Sequence, residues 1–300
     1  MSELPYHYCA YGLNIASEIE CPQLPAGTVS HPDVIIRYGE AATELDPTQE
    51  LVTGHQIGAG GFLLNVNGTA RYLIRNGNEI TIEPYINADH EAVRLYLLGS
   101  SFGVLLHQRG FLPLHGSGIA TNRGAVIFVG ASGIGKSSLA GAFHRRGYQA
   151  LADDVCAINV NSKGAAQVWP AYPRIHLWAD ALVKLGEEPG DFQRAYYKRD
   201  KYELPLRNFS MDPATIFAVY AIHLWQDEGI RATDLKGFDK IQELTANTYR
   251  LRFLNAIHLE RHFRQIQTLA RQVRVVRVTR PQQPFLLEEM ADLIEKDFNP

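Results

Sequence analysis

Period-two alternation marks the first third of the chain, a 3.6-residue rhythm follows it, and short apolar runs broken by glycine come after. Residues 6–15 and 33–38 read as strands, separated by a turn region through Cys21-Pro22-Gln23-Leu24-Pro25. Residues 62–66, 72–75 and 79–82 are short β-prone runs joined by Asn67-Gly68 and Asn76-Gly77. Asn-Gly pairs tolerate positive φ and favour tight hairpins, so a small antiparallel sheet is expected here. Residues 1–87 are thus read as a β-rich N-terminal lobe. Val93, Leu97, Leu98, Phe102, Leu105 and Leu106 then recur at helical spacing until Gly110, which predicts one long helix over 87–109. Its expected role is a link, residues 88–110, to a domain formed by 111–300.

In that domain, apolar runs at 112–115, 118–121 and 125–129 predict strands, and 138–146 predicts a helix stopped by Gly147. Strands at 149–152 and 155–160 flank Asp153-Asp154. Residues 169–178 read as a proline-interrupted loop and 179–185 as a short helix. A buried strand at 216–225, a helix at 256–271, a strand at 273–278 and a closing helix at 286–298 complete the reading. The fold class expected is α/β with a mixed sheet.

Bulk properties narrow the function only by exclusion. With 300 residues there is room for one large domain or two ordinary ones. A hydrophobic share of 46%, a charged share of 20% and a net charge of −3 describe a soluble protein with no general attraction for nucleic acid or membrane surfaces. Three cysteines at unpatterned spacings (Cys9, Cys21, Cys156) argue against a disulfide framework or zinc site and fit a reducing cytoplasm. The start MSELPYHYCAYG does not read as a signal peptide, and no apolar run reads as a membrane span.

The chemistry enters at Gly130-Ala131-Ser132-Gly133-Ile134-Gly135-Lys136-Ser137, a G-x-x-x-x-G-K-S string between a strand and a helix. Glycines let successive backbone N–H groups turn towards phosphate oxygens, and the helix N-terminus adds a favourable dipole. Gly130, Ser132, Gly133, Ile134 and Gly135, with Lys136, Ser137 and Ser138 at the helix start, form the candidate nucleotide site. Lys136 would carry a point charge to the outer phosphates, and the Ser137 hydroxyl would ligate Mg²⁺.

Asp153 and Asp154 follow an apolar strand soon after the loop, where an acid that holds Mg²⁺ is expected. The neighbouring acid could act as general base towards a hydroxyl. Asp-Asp pairs are also common in exposed turns, and the preceding strand and loop tip the reading to chemistry. His115, in a glycine-containing turn upstream, reads by itself as an ordinary solvated histidine.

His115-Gly116, the loop Gly130–Ser137 and Ala152-Asp153-Asp154, in that order, resemble the HPr kinase/phosphorylase family, which is related to phosphoenolpyruvate carboxykinase. The resemblance covers roughly residues 111–160. It implies that Lys136 binds ATP phosphates, that Ser137 and an aspartate hold Mg²⁺, and that His115 lies beside the reacting phosphate. It also implies that one aspartate, Asp154 in preference to Asp153, is the catalytic base. The family's hexamers imply self-association. A Glu-Ile-Arg-Gly-Leu-Gly-like stretch of that family has no equivalent in residues 168–178. The N-terminal lobe, the segment Pro173-Arg174-Ile175-His176-Leu177-Trp178 and the Arg280-Pro281 turn are instead similar to a divergent branch found with lasso-peptide biosynthesis. Some members of that branch phosphorylate the C-terminal serine of the precursor peptide.

Candidate acceptor-side residues are weaker. Arg174 could reach substrate or phosphate, or stack on neighbouring aromatics. Lys198, Arg199 and Lys201 could neutralise transferred phosphate, but such a charge run more often lies on a solvated face. Arg261, Arg264, Arg271, Arg274, Arg277 and Arg280 likewise read better as a solvated face than as a peptide-binding patch. The expected function is an ATP- and Mg²⁺-dependent kinase acting on a serine of a peptide or protein, with a lasso precursor as favoured acceptor. The alternatives are a kinase of free serine or a sugar, or a nucleotide-binding regulator.

Overall fold

The computed structural model describes residues 4–28, 30–45, 54–58, 60–160, 164–195, 200–226, 229–254 and 256–299. The chain divides into two compact units, Met1–Phe111 with Arg250–Arg261, and Leu112–Tyr249 with His262–Pro300.

The first unit is built on a seven-stranded sheet of β1 (Tyr6–Ala10), β2 (Leu13–Ser17), β3 (Val34–Tyr38), β4 (His55–Gly58), β5 (Gly61–Val66), β6 (Ala70–Arg75) and β7 (Glu79–Pro84). Their order is β1-β2-β3-β7-β6-β5-β4. The sheet is larger than the antiparallel meander expected, and it is mixed, because β3 lies parallel to both β2 and β7. The single strand expected over 6–15 is a hairpin that turns at Tyr11 and Gly12, both at positive φ. Both Asn-Gly turns form where expected, and β5, β6 and β7 pair in register as a meander.

The expected long helix is two α-helical segments around a π-helical turn: α1 (His90–Tyr96), the turn Leu97–Ser101, and α2 (Phe102–Gln108). Asp89 caps the first segment by accepting a hydrogen bond from the Glu91 N–H. The widened turn keeps Leu97, Phe102, Leu105 and Leu106 all buried.

The second unit holds the phosphate-loop motif. Its main sheet comprises β8 (Leu112–Thr121), β9 (Gly124–Gly130), β10 (Gln149–Ala152), β11 (Val155–Asn159), β12 (Gln167–Trp169), β16 (Ala214–Trp225), β17 (Arg231–Asp234) and β18 (Arg274–Pro281). A three-stranded sheet of β13 (Arg174–Trp178), β14 (Gln193–Arg194) and β15 (Lys201–Pro205) accompanies it. The helices are α3 (Lys136–Arg145), α4 (Ala179–Lys184), α5 (Gly237–Ala246), α6 (Ala256–Gln272) and α7 (Leu287–Phe298).

β16 runs parallel to β9 on one side and to β18 on the other, whereas β8 pairs antiparallel with β9, β10 and β11. The fold is therefore α/β with a mixed sheet. Parallel strands are buried on both faces and read as continuous apolar runs, as Ala125–Val129 does. α3 packs on this sheet through Phe143, whose ring stacks on Phe128 at 5.5 Å between centroids and lies 5.8 Å from Phe298 of α7. At the end of α3, Arg146 bonds Glu288, Asp292 and Glu295, one face of α7.

Residues 169–178 correct the expected loop. Pro170 and Pro173 interrupt the chain, but β12 ends before the first and β13 starts after the second. Within β13, Ile175 and Leu177 are buried while Arg174, His176 and Trp178 alternate onto the other face. Arg199 and Lys198 lie outside the described residues.

Candidate active site

Four separate segments of the second unit meet around Asp153. Strand β9 ends at Gly130, the chain turns through residues 131–135, and α3 begins at Lys136. Gly130, Gly133 and Gly135 have φ of 141°, 80° and 113°. A side chain is also excluded sterically at two of them. A Cβ on Gly130 would lie 2.6 Å from the Ile222 carbonyl oxygen of β16, and one on Gly135 would lie 2.6 Å from the Phe285 ring. Gly130 and Gly135 are thus fixed both by turn geometry and by close neighbours, and Gly133 by its positive φ alone.

Lys136 is 7% exposed, and its Nζ donates to the carbonyl oxygens of Gly130 (2.9 Å) and Ala131 (3.0 Å). The ammonium therefore curls back over the loop. Burial lowers its pKa below the usual lysine value, against the opposing pull of Asp153 and Asp154, and the charge of Lys201 adds to the lowering. Lys201, the first residue of β15, thus lies within electrostatic reach of the loop.

Asp153 is 4% exposed and accepts three hydrogen bonds. Ser137 Oγ donates to Oδ1 at 2.8 Å, Ser117 Oγ to the same oxygen at 2.6 Å, and the His176 backbone N–H to Oδ2 at 2.8 Å. The His176 ring stands between two carboxylates, with Nδ1 3.8 Å from Asp153 Oδ2 and Nε2 3.6 Å from Glu203 Oε1.

Asp154 differs in every respect. Its φ is +68°, a left-handed conformation that aspartate tolerates better than most residues, and its side chain is 34% exposed. That backbone twist separates the two neighbouring carboxylates. His115 Nδ1 lies 3.1 Å from the Asp154 carbonyl oxygen and 3.4 Å from Oδ1, while the Tyr249 hydroxyl donates to Oδ2 at 3.3 Å.

The strand register explains the grouping. His115 sits opposite Val155, immediately after the aspartates, and Ser117 is two residues further along β8 on the same face. Tyr249 arrives because residues just after α5 bond β8: the His115 N–H donates to Asn247 O and the Tyr249 N–H to Pro113 O.

His115 is held below the ordinary imidazole value chiefly by burial, with Lys136 adding to the effect and Asp154 opposing it. Tyr172, buried, is held well above the usual phenol value by burial first and by the Asp154 and Asp153 charges next, so it remains a protonated phenol.

The structure therefore brings His115, Lys136, Ser137, Asp153 and Asp154 together, and puts Lys201 near them. Ser132 lies exposed in the loop and Ser138 is buried in the first turn of α3. Arg174 begins the strand whose third residue, His176, bonds Asp153, and it lies opposite Pro205 of β15. Sequence reading missed Ser117, Glu203, Tyr249 and the role of His176. Only His115-x-Ser117 on one strand face offered a signal for any of them. Arg280 corrects an expectation: it is 4% exposed and does not belong to a solvated basic face.

The donor set suits Mg²⁺. Ser137 Oγ and Asp153 Oδ1 are hard oxygen donors already paired at the helix start, the type of set magnesium takes together with substrate phosphates. Among the described residues, no group of three or more His, Cys, Asp or Glu side chains could hold a metal without such help.

No protein-family profile matches this chain, and no curated protein does. Among solved structures, it is similar to the HPr(Ser) kinase/phosphatase from Coxiella burnetii at 13% identity, covering 62% of this chain and 89% of that one with a TM-score of 0.32. Among the described residues no helix is long and apolar enough to cross a membrane.

Burial also predicts a pH response. His115, His144, His258 and His262 are all held below 6.5, burial being the leading cause in each. In the window between their folded values and 6.5 the unfolded chain binds more protons than the native one, so native stability falls as pH drops through that window. The melting temperature at pH 5.5 is expected to lie on the order of 5 °C below that at pH 7.5. Calorimetry at matched ionic strength checks it, and an equal or higher value at pH 5.5 contradicts it.

Proposed function

We propose that this chain is an ATP- and Mg²⁺-dependent kinase that transfers the γ-phosphate to a serine hydroxyl of a peptide or protein. One observation carries the reading: adjacent residues serve the two halves of the reaction. Asp153 bonds Ser137 at the start of the phosphate-loop helix, and Asp154, turned away by its left-handed backbone, faces His115 and Tyr249. Nucleotide binding alone requires no second, partly exposed carboxylate there. In this reading, residues 111–300 form the kinase domain and residues 1–87 a lobe joined to it through 88–110.

In the mechanism, the loop amides, Lys136 and the N-terminus of α3 hold the triphosphate. Ser137 and Asp153 would hold Mg²⁺, which supplies charge neutralisation at the phosphate oxygens. Asp154 accepts the proton of the acceptor hydroxyl as its oxygen bonds to the γ-phosphorus. The bond from that phosphorus to the β–γ bridging oxygen breaks, and its electron pair leaves with ADP. His115 stands beside Asp154 as a neutral imidazole at pH 7, its Nδ1 at the Asp154 backbone carbonyl, and so leaves the carboxylate charged. Lys201, and Arg174 or Arg199 with it, would balance charge on the moving phosphoryl group.

The C-terminal serine of a lasso-peptide precursor is the finer part of the proposal and rests on the sequence resemblance. Purified protein incubated with γ-labelled ATP, Mg²⁺ and, separately, a lasso precursor peptide, HPr and free serine tests both levels. Label on the peptide is expected. Label on HPr alone would replace the acceptor and keep the peptide-or-protein kinase, whereas label on free serine alone would make it a small-molecule kinase. ATP binding with no labelled acceptor would overturn the kinase reading in favour of a regulator.

A further inference from the structure

Arg280 is the last residue but one of β18, and its guanidinium is built into the back of the phosphate loop. One Nη donates to the Ile134 carbonyl oxygen at 2.8 Å, and the other donates to the carbonyl oxygens of Pro281 (2.8 Å) and Gln282 (3.4 Å). The group lies 4.3 Å from the centre of the Phe285 ring, and that same ring covers Gly135. Among the described residues no carboxylate pairs with this buried cation, and its buried Nε has no hydrogen-bond partner. Buried charges are ordinarily paired, so a cation kept this way beside a phosphate loop has a reason to be there.

The geometry of the peptide unit supplies that reason. The Ile134–Gly135 bond is trans, and in a planar trans peptide the C=O and the following N–H point in opposite directions. With the Ile134 carbonyl fixed on Arg280, the Gly135 N–H is fixed pointing away from it. Gly135 is also the residue before α3, at φ 113°, a conformation with many alternatives in a free glycine. Phe285 packed on its Cα closes those alternatives.

We propose that Arg280 and Phe285 are positioning residues for nucleotide binding: together they hold the Ile134–Gly135 peptide so that the Gly135 N–H faces the phosphate, and the Arg280 charge acts on the nucleotide's phosphates from across the loop. The proposal rests on the nucleotide-site reading above but not on the acceptor. It reaches the loop from a residue 146 positions away in sequence.

Binding of a fluorescent ADP analogue to the full chain tests it, alongside the KM for the labelled acceptor and the melting temperature without nucleotide. Arg280→Met is expected to weaken ADP binding roughly tenfold, the effect of one well-placed hydrogen bond. The acceptor KM should stay within about twofold, far less than one lost hydrogen bond would cost. Arg280→Lys, which keeps the charge without the fork, is expected to fall between wild type and Arg280→Met. Phe285→Leu keeps an apolar cover on Gly135 with a smaller perturbation of the fold and is expected to weaken ADP binding by roughly threefold. A folded Arg280→Met protein that binds ADP like wild type overturns the proposal, as does a lowered melting temperature with unchanged affinity. Wild-type protein that binds no ADP overturns this proposal together with the nucleotide-site reading. Wild type that binds ADP but labels no acceptor overturns only the kinase reading.

Discussion

Asp154→Asn is expected to leave ADP affinity within about twofold of wild type while phosphoryl transfer falls roughly 10³-fold, the range of general-base catalysis. The asymmetry between the two aspartates is the reason. Asp154 is a third exposed and its carboxylate faces His115 and Tyr249, so an amide of the same shape fits there without removing a hydrogen bond from Ser137. It cannot take up a proton. The His115 and Tyr249 contacts can adapt to an amide, and the melting temperature is expected to stay near wild type. Steady-state kinetics with labelled ATP, paired with ADP titration, decide the matter. A variant that keeps full activity would remove Asp154 from the mechanism. Asp153→Asn is the contrasting change, because it sets an amide against three buried donors and is expected to damage fold and activity together.

Lys136→Met is expected to act on the other half of the site. Transfer should fall on the order of 10³-fold through lost electrostatic stabilisation, and nucleotide binding should fall with it. The protein without nucleotide is expected to be no less stable than wild type. Lys136 is a buried ammonium held by two loop carbonyls, and burial already lowers its pKa, so the folded chain bears a desolvation cost that methionine removes. The rise in melting temperature on adding ADP, which follows from binding to the native state alone, should vanish. Thermal melts with and without ADP check this. A variant stabilised by ADP as strongly as wild type would contradict it.

The parts of this site that were legible in the sequence are those whose geometry is local. The loop's spacing is dictated by backbone amides converging on phosphate, so Gly130, Gly135, Lys136 and Ser137 could be named from the string alone. Asp153-Asp154 followed from its place after a strand. Ser117, Glu203 and Tyr249 could not be found that way, since strand pairing and the α5–β8 contact bring them in. Arg280 read as one member of an arginine-rich surface because its burial depends on a loop 146 residues earlier. The prolines around 169–178 hid β12 and β13, although Ile175 and Leu177 carried the alternation of a strand. α5 was missed because its buried face is sparse, with only Glu243 and Leu244 inside. In the first unit, both Asn-Gly hairpins were evident, whereas the parallel pairing of β3 joins segments far apart in sequence and leaves no local mark.

The first unit is also discontinuous along the chain. Its closing piece, Arg250–Arg261, is separated from Met1–Phe111 by more than a hundred residues of the other unit. Phe253, 5% exposed, sits 4.9 Å from Phe62 and 4.6 Å from His55 by ring centroids. During translation the seven-stranded sheet therefore emerges from the ribosome well before the phenylalanine that packs on His55 and Phe62. A nascent chain leaves the Phe62 and His55 rings without this partner for as long as residues 112–249 take to synthesise, and at about 5–20 residues per second this is a wait of seconds. A chaperone's opportunity to engage this polypeptide is written into where residue 253 falls in its sequence.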